Sequence, residues 1–296
     1  MPCRLLSILL LVALALAGCA SSRPSSTYSP AELTPPTQVA RDLTRLPEPA
    51  GRIPVAVYGM RDQTGQYKPA PDSSFSTSVT QGAASLLIKS LRDSRWFMPV
   101  ERENLQNLLT ERKIIRALEL PQDKAQIQLP PLMPANMLIE GAIVAYESNV
   151  KTGGAGVRYL GIGPSEQYRQ DQVTVNLRAV DIRTGQVMQS VTTSKTIFSI
   201  QMDFGLFRFV STKNLLEIEA GFSRNEPVQQ CVREAIETAL VHLIVQGIQE
   251  GSWRLKNQDD FKNPIIQSYL RAYDEQVAVV PVPAPGENAN NGGVAK

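Results

Sequence analysis

The sequence has little of the chemistry on which most enzymes rely. Its 296 residues include one histidine, His242, and most histidine-based catalysis is excluded at once. Three cysteines, Cys3, Cys19 and Cys231, are too few and too scattered for a zinc cluster or a disulfide framework. Charge of one sign is lacking as well. The 30 Lys+Arg and 28 Asp+Glu leave +2 overall with no long like-charged block, so no nucleic-acid footprint is evident. There is no phosphate-cradling GxxxxGK[ST] loop. No nucleophile, base and orienting carboxylate can be assembled from spacing, which leaves a lipid-anchored hydrolase without support, and no cofactor is called for. What is present is a 43% hydrophobic fraction, enough in a chain of this length to build a core.

The N terminus reports a destination. Arg4 precedes the apolar run from Leu5 to Leu16, and small residues follow, the layout of a secretory signal peptide over residues 1–18. The run is too short to span a bilayer permanently. It ends in Leu16-Ala17-Gly18-Cys19, which resembles the bacterial lipobox, where a peptidase cleaves before a cysteine already carrying diacylglycerol. Cys19 is then the lipidated first residue. An ordinary signal peptide with a chance cysteine is the alternative; the small residues before Cys19 and the polar Ser/Pro-rich segment after it favour the lipid. Several acyl chains make a stable anchor, since each buried methylene contributes about 0.8 kcal/mol. Ala20 stands where an inner-membrane retention signal usually shows aspartate, so by likeness to other lipoproteins the expected address is the outer membrane. With Cys3 removed and Cys19 acylated, Cys231 has no intramolecular partner and reads as a buried thiol.

Residues 19–50 carry Pro24, Pro30, Pro35, Pro36, Pro47 and Pro49 among serines and threonines, and read as an extended tether with little regular structure. The far end passes through Pro281, Pro283 and Pro285 into Asn- and Gly-rich sequence, so a disordered tail is expected over 274–296. The folded part is then 51–273. Strands are expected at 53–58, 97–100, 137–146, 172–181 and 187–195, the last two joined by the turn Arg183-Thr184-Gly185-Gln186. Val79, Gly82, Ala83, Leu86 and Leu87 trace a helix from near Ser76 to Asp93, and Leu105, Leu108, Leu109 and Ile115 lie on one face of a second. Val228, Val232, Ala235, Ile236, Ala239, Leu240 and Leu243 mark a long helix over 227–250, capped by Asn225 and stopped by Gly251. Val241, Ile244, Val245 and Ile248 widen its stripe, which suits burial against a neighbouring subunit. His242 on that helix reads as a packed or interface histidine, and Trp96 as core. The pattern is α+β.

One segment does not suit a soluble domain. Phe198, Ile200, Met202, Phe204 and Leu206 alternate strictly with Ser199, Gln201, Asp203 and Gly205, giving one greasy and one wet face. Leu216, Ile218, Ala220 and Phe222 repeat the pattern across the polar turn Ser211-Thr212-Lys213-Asn214. Each limb has nearly the 9 to 11 residues, roughly, that a tilted membrane strand needs. An exposed hairpin folding over its own domain is the competing reading. Glycines dilute a second stretch, 150–170, which alone reads as a flexible loop. Two hairpins make an open four-stranded sheet whose edge N–H and C=O groups cannot be left unpaired in lipid, so several copies must close one barrel.

Asp42-Leu43-Thr44, Tyr67-Lys68-Pro69, Phe75-Ser76-Thr77, Asp93-Ser94-Arg95-Trp96-Phe97, Leu105-Gln106-Asn107-Leu108-Leu109, Glu111-Arg112-Lys113-Ile114-Ile115-Arg116, Tyr146-Glu147-Ser148-Asn149-Val150-Lys151 and Asn225-Glu226-Pro227-Val228 resemble the CsgG family, the curli production assembly/transport components. The likeness runs from the lipobox to about Trp253, interrupted mainly at 119–132. It implies an outer-membrane secretion channel: a periplasmic α/β vestibule domain with two β-hairpins, 150–170 and 200–224, that join those of other subunits in one oligomeric transmembrane β-barrel. A nonamer, hence a barrel of about 36 strands, passive export of unfolded curlin subunits, and CsgE-like and CsgF-like accessory proteins are implied with it. The family's constriction carries a Tyr, an Asn and a Phe, and falls on 66–75 here. Phe75 is retained, whereas Ser74 stands at the Asn position and Ala70 at the Tyr position. A ring of Phe75 would form an apolar collar past which an unfolded chain slides. Without the aromatic at 70, a wider or shorter constriction is expected unless Tyr67 turns inward. On the residues alone, Phe75 reads as a core residue at a helix start. The competing function is a non-pore, periplasmic-facing lipoprotein adaptor whose hairpins pack onto its own surface or a partner.

Overall fold

A computed structural model of the chain describes residues 31–67, 77–118, 129–152, 167–202, 206–210 and 227–278. Two units are distinguished, Met1–Pro35 and Pro36–Lys296. Of the first, residues 31–35 are described; they are exposed and belong to no helix or strand.

Helix α1 (Gln38–Thr44) opens the second unit. The Thr37 hydroxyl caps it by accepting from Ala40 N at 2.9 Å, and also donates to the carboxylate of Glu237. Leu43 and Leu46 are buried. The tether expected over 19–50 is therefore too long. Its proline-rich composition concealed a short helix with Val39 and Leu43 at i and i+4, followed just past its end by buried Leu46.

The strands are β1 (Ile53–Ala56), β2 (Met60–Asp62), β3 (Phe97–Val100), β4 (Met137–Thr152), β5 (Gln167–Asp181), β6 (Val187–Met202) and β7 (Leu206–Val210). They form one sheet in the order β3-β1-β4-β5-β6-β7, with β2 also paired to β4. The β3, β1, β2 and β4 pairings are parallel, and those from β4 to β7 antiparallel. β1 and β2 occupy successive stretches of one edge of β4, Val55 beside Met137 and Met60 beside Gly141. Gly141 permits this close approach, because a Cβ there would lie 2.9 Å from Leu177 Cδ2 and 3.1 Å from Met60 Cγ.

Helices α2 (Ala83–Asp93) and α4 (Pro227–Gln249) share one face of the sheet, α2 against β3 and β2, α4 against β5 and β6, and they touch each other. α2 begins later than expected, since Thr77 is held in an extended bridge with Tyr67 and the helix starts only after Gly82. α4 is buried nearly all round. Val241, Ile244 and Val245, expected to meet a neighbouring subunit, are fully buried within the single chain, where α4 also contacts α1, α2 and α5 (Pro264–Ala278). Helix α5 carries the ordered chain past Tyr273 to Ala278, so the expected tail starts too early. Asn225, the expected cap of α4, lies outside the described residues, whereas Gly251 ends the helix with φ +77°. Helix α3 (Leu105–Leu118) has no buried residue: Leu105, Leu108 and Ile115 are half-buried and Leu109 is exposed.

The β5–β6 turn falls where expected. Asp181 Oδ1 accepts from Arg183 N at 2.7 Å and Thr184 N at 3.0 Å, and Gly185 takes φ +72°. In the second hairpin Met202 pairs with Leu206 and Phe198 with Val210; the return limb expected at 216–222 lies outside the described residues.

Candidate functional site

The site is the neck where the helix-backed sheet gives way to the projecting strands. Its first component is a closed loop base. β2 runs along β4, and Gln63 N continues the ladder by donating to Ile143 O at 2.9 Å. Asp62 Oδ1 then turns the chain, accepting from Thr64 N at 2.9 Å and Thr64 Oγ1 at 2.7 Å, with Gly65 at φ +62°. Tyr67 and Thr77 form an antiparallel bridge, and Ser78 N donates to Gln66 O at 3.0 Å. Gln81 Nε2 donates to Asp62 Oδ2 at 3.2 Å, tying the outgoing limb to the incoming one.

The second component anchors that base to the sheet. Gln66 Nε2 donates to Tyr146 O at 2.8 Å. The β4–β5 register shifts between Ile143 and Ala145, leaving Val144 as an extra residue. This bulge reverses the inward parity of β4, so Tyr146 is buried although Ile139 and Ile143 are the inward residues below it. Tyr146 Oη donates to Asp171 Oδ1 at 3.0 Å, and Asp171 is wholly buried. Cys231 Sγ, near the start of α4, lies 3.8 Å from Asp171 O. Burial pushes the Cys231 thiol up to about 12. Beside it Lys195 on β6 pairs with Glu234 on α4.

Of the residues singled out from the sequence, Tyr67 stands at the loop base, 61% exposed. Ala70, Ser74 and Phe75 lie in the segment it closes, outside the described residues, as does Cys19. Gln66 and Asp171 were not anticipated. Asp171 was readable, because it continues the odd-numbered row Val173, Val175, Leu177, Ala179 and so occupies a core-facing position. His242 packs edge-on against Tyr269, ring centroids 5.1 Å apart, and burial lowers its pKa. Among the described residues no group of three His, Cys, Asp or Glu is placed to hold a metal, and no helix is long and apolar enough to cross a membrane.

Comparison with known proteins adds the following. The family model "Curli production assembly/transport component CsgG" matches residues 37–273. A protein of that name from Salmonella typhimurium is 49% identical over 265 residues, 88% of this chain and 95% of that protein. One from Escherichia coli K12 is 48% identical over 264 residues, again 88% and 95%. Among solved structures, the PelC dodecamer from Paraburkholderia phytofirmans is 14% identical, covering 65% of this chain and 87% of that one, but its TM-score of 0.28 is too slight to bear on fold or function.

Proposed function

Because the chain belongs to the CsgG family of curli production assembly/transport components, we propose that it is an outer-membrane secretion channel that passively exports unfolded curli subunits from periplasm to cell surface. The observation that carries this reading is the ladder β4-β5-β6-β7. The strands are adjacent in the sheet and consecutive in the chain: β4, β5 and β6, 16, 15 and 16 residues long, run on past the helix-backed region, and β7 joins β6 there beside residues 198–202. β2 leaves the edge of β4 at Ile143, and β7 is the last strand on the other side. Lipid tolerates such edges only when another copy pairs with them.

In this reading Cys19 carries the lipid after removal of 1–18, residues up to about Pro35 form the tether, and 36–278 form the vestibule domain. Residues 150–170 and 200–224 supply the membrane strands of a nonamer with about 36 strands. The limbs of the second hairpin, five residues in β7, lengthen as the ring supplies neighbours on both edges and the turn moves toward 211–214. Phe75, Ser74, Ala70 and Tyr67 form the constriction. Curlin subunits are the cargo, and CsgE-like and CsgF-like proteins act at the vestibule and the exit. Export needs no nucleotide. Phe75→Ala tests the constriction: the single-channel current rises and larger solutes leak, whereas an unchanged current removes Phe75 from it.

A further inference from the structure

The two faces of the sheet exchange their chemistry as the strands leave the domain. β5 and β6 pair without a register break from Leu177 beside Val191 to Tyr168 beside Ile200. Along β6 the odd-numbered residues meet α4. Val191 and Ile197 are buried, Thr193 Oγ1 donates to Ala235 O at 2.8 Å, and Lys195 pairs with Glu234. The even-numbered Ser190, Thr192 and Ser194 are exposed on the other face, Ser194 Oγ lying 2.8 Å from Thr174 Oγ1. Past Ile197 the rows swap character. Positions 198, 200 and 202 are Phe, Ile and Met, while 199 and 201 are Ser and Gln. Since no bulge intervenes, each row stays on its own face.

In a membrane barrel the apolar row faces lipid and the polar row the lumen. The lipid row here continues the hydroxyl-rich row, and the lumen row continues the one covered by α4. We infer that the helix-bearing face of the domain is turned toward the channel axis, where it meets the passing unfolded chain, and that the Ser190, Thr192 and Ser194 face forms the outer circumference of the ring. This rests on the pore reading. A second observation agrees with it: Thr77, paired with Tyr67, leads through residues 78–82 into α2 on the helix-bearing face.

Two exposed sites separate the faces, Ser85 on α2 and Thr192 on β6. Ser85→Cys and Thr192→Cys are introduced singly into the full-length, lipidated protein, reconstituted in planar bilayers, and treated with a bulky polyethylene-glycol maleimide, with labelling verified by mass. Buried Cys231 does not compete. The current through the Ser85→Cys ring falls severalfold on labelling, and that through Thr192→Cys is unchanged. Lys89→Cys and Ser194→Cys, also exposed, repeat the comparison should either first variant fail to assemble. The reverse result, or equal effects at both sites, overturns the orientation. A parent protein that carries no current removes the pore reading and the orientation with it.

Discussion

Gln66 Nε2 donates to the carbonyl oxygen of Tyr146 at 2.8 Å, and this bond joins the closed base of the 68–76 segment to the strand that becomes the first hairpin. The same tyrosine reaches sideways to Asp171 on β5 with its phenol, at 3.0 Å. One residue thus holds the loop base through its main chain and the neighbouring strand through its side chain.

Tyr146→Phe keeps the ring and the main-chain acceptor but removes one donor from a wholly buried carboxylate. The expected loss is about 1–3 kcal/mol of stability, measured by denaturant unfolding of the Cys19→Ala form. An unchanged midpoint would show that the phenol contributes nothing at the neck.

Gly247 lies under Trp253. A Cβ at 247 would sit 2.1 Å from the indole Cε2, and that ring is fixed by its Nε1–H bond to Ile244 O at 2.7 Å and edge-on packing with Phe97. Gly247→Ala therefore cannot be absorbed by a rotamer change. It should cost at least about 1–3 kcal/mol and lower the thermal midpoint, while Gly51→Ala, with open space around it, leaves the midpoint in place.

Cys231 makes stability depend on alkaline pH. The thiol ionises near 9.0 when unfolded and is pushed up to about 12 by burial in the fold. The folded state holds its proton more tightly, so the contribution is complete below pH 9 and is lost as pH rises from there toward 12. Tyr269, also raised by burial, acts in the same direction above its ordinary 10.0. Cys231→Ala should flatten the fall in unfolding free energy above pH 9. A slope unaltered by the substitution would contradict the assignment.

The long elements were legible because their periodicity extends over many residues. The stripe from Val228 to Leu243 gave α4, and the alternating rows of β5 and β6 gave the central hairpin with its Asp181–Gly185 turn. What escaped depends on tertiary context. Helix α1 is a single seven-residue element between prolines, carried by the Thr37 cap and the burial of Leu43. Val241, Ile244 and Val245 look the same in sequence whether a second subunit or α1, α2 and α5 cover them. The Val144 bulge leaves no compositional mark, so neither the burial of Tyr146 nor its pairing with Asp171 could be read from β4 alone.

The lipid anchor is tested by Cys19→Ala. Without acyl chains the protein should remain soluble in the periplasm and fail to sediment with outer membranes. Normal membrane insertion of this variant would refute the role given to Cys19.

The central claim is that copies of this chain close a conducting barrel, and single-channel recording of the detergent-extracted, lipidated protein in a planar bilayer tests it most directly. Large, stable, discrete current steps are the predicted result. A silent bilayer in which incorporation of the protein has been verified would contradict the channel and leave an envelope adaptor in its place.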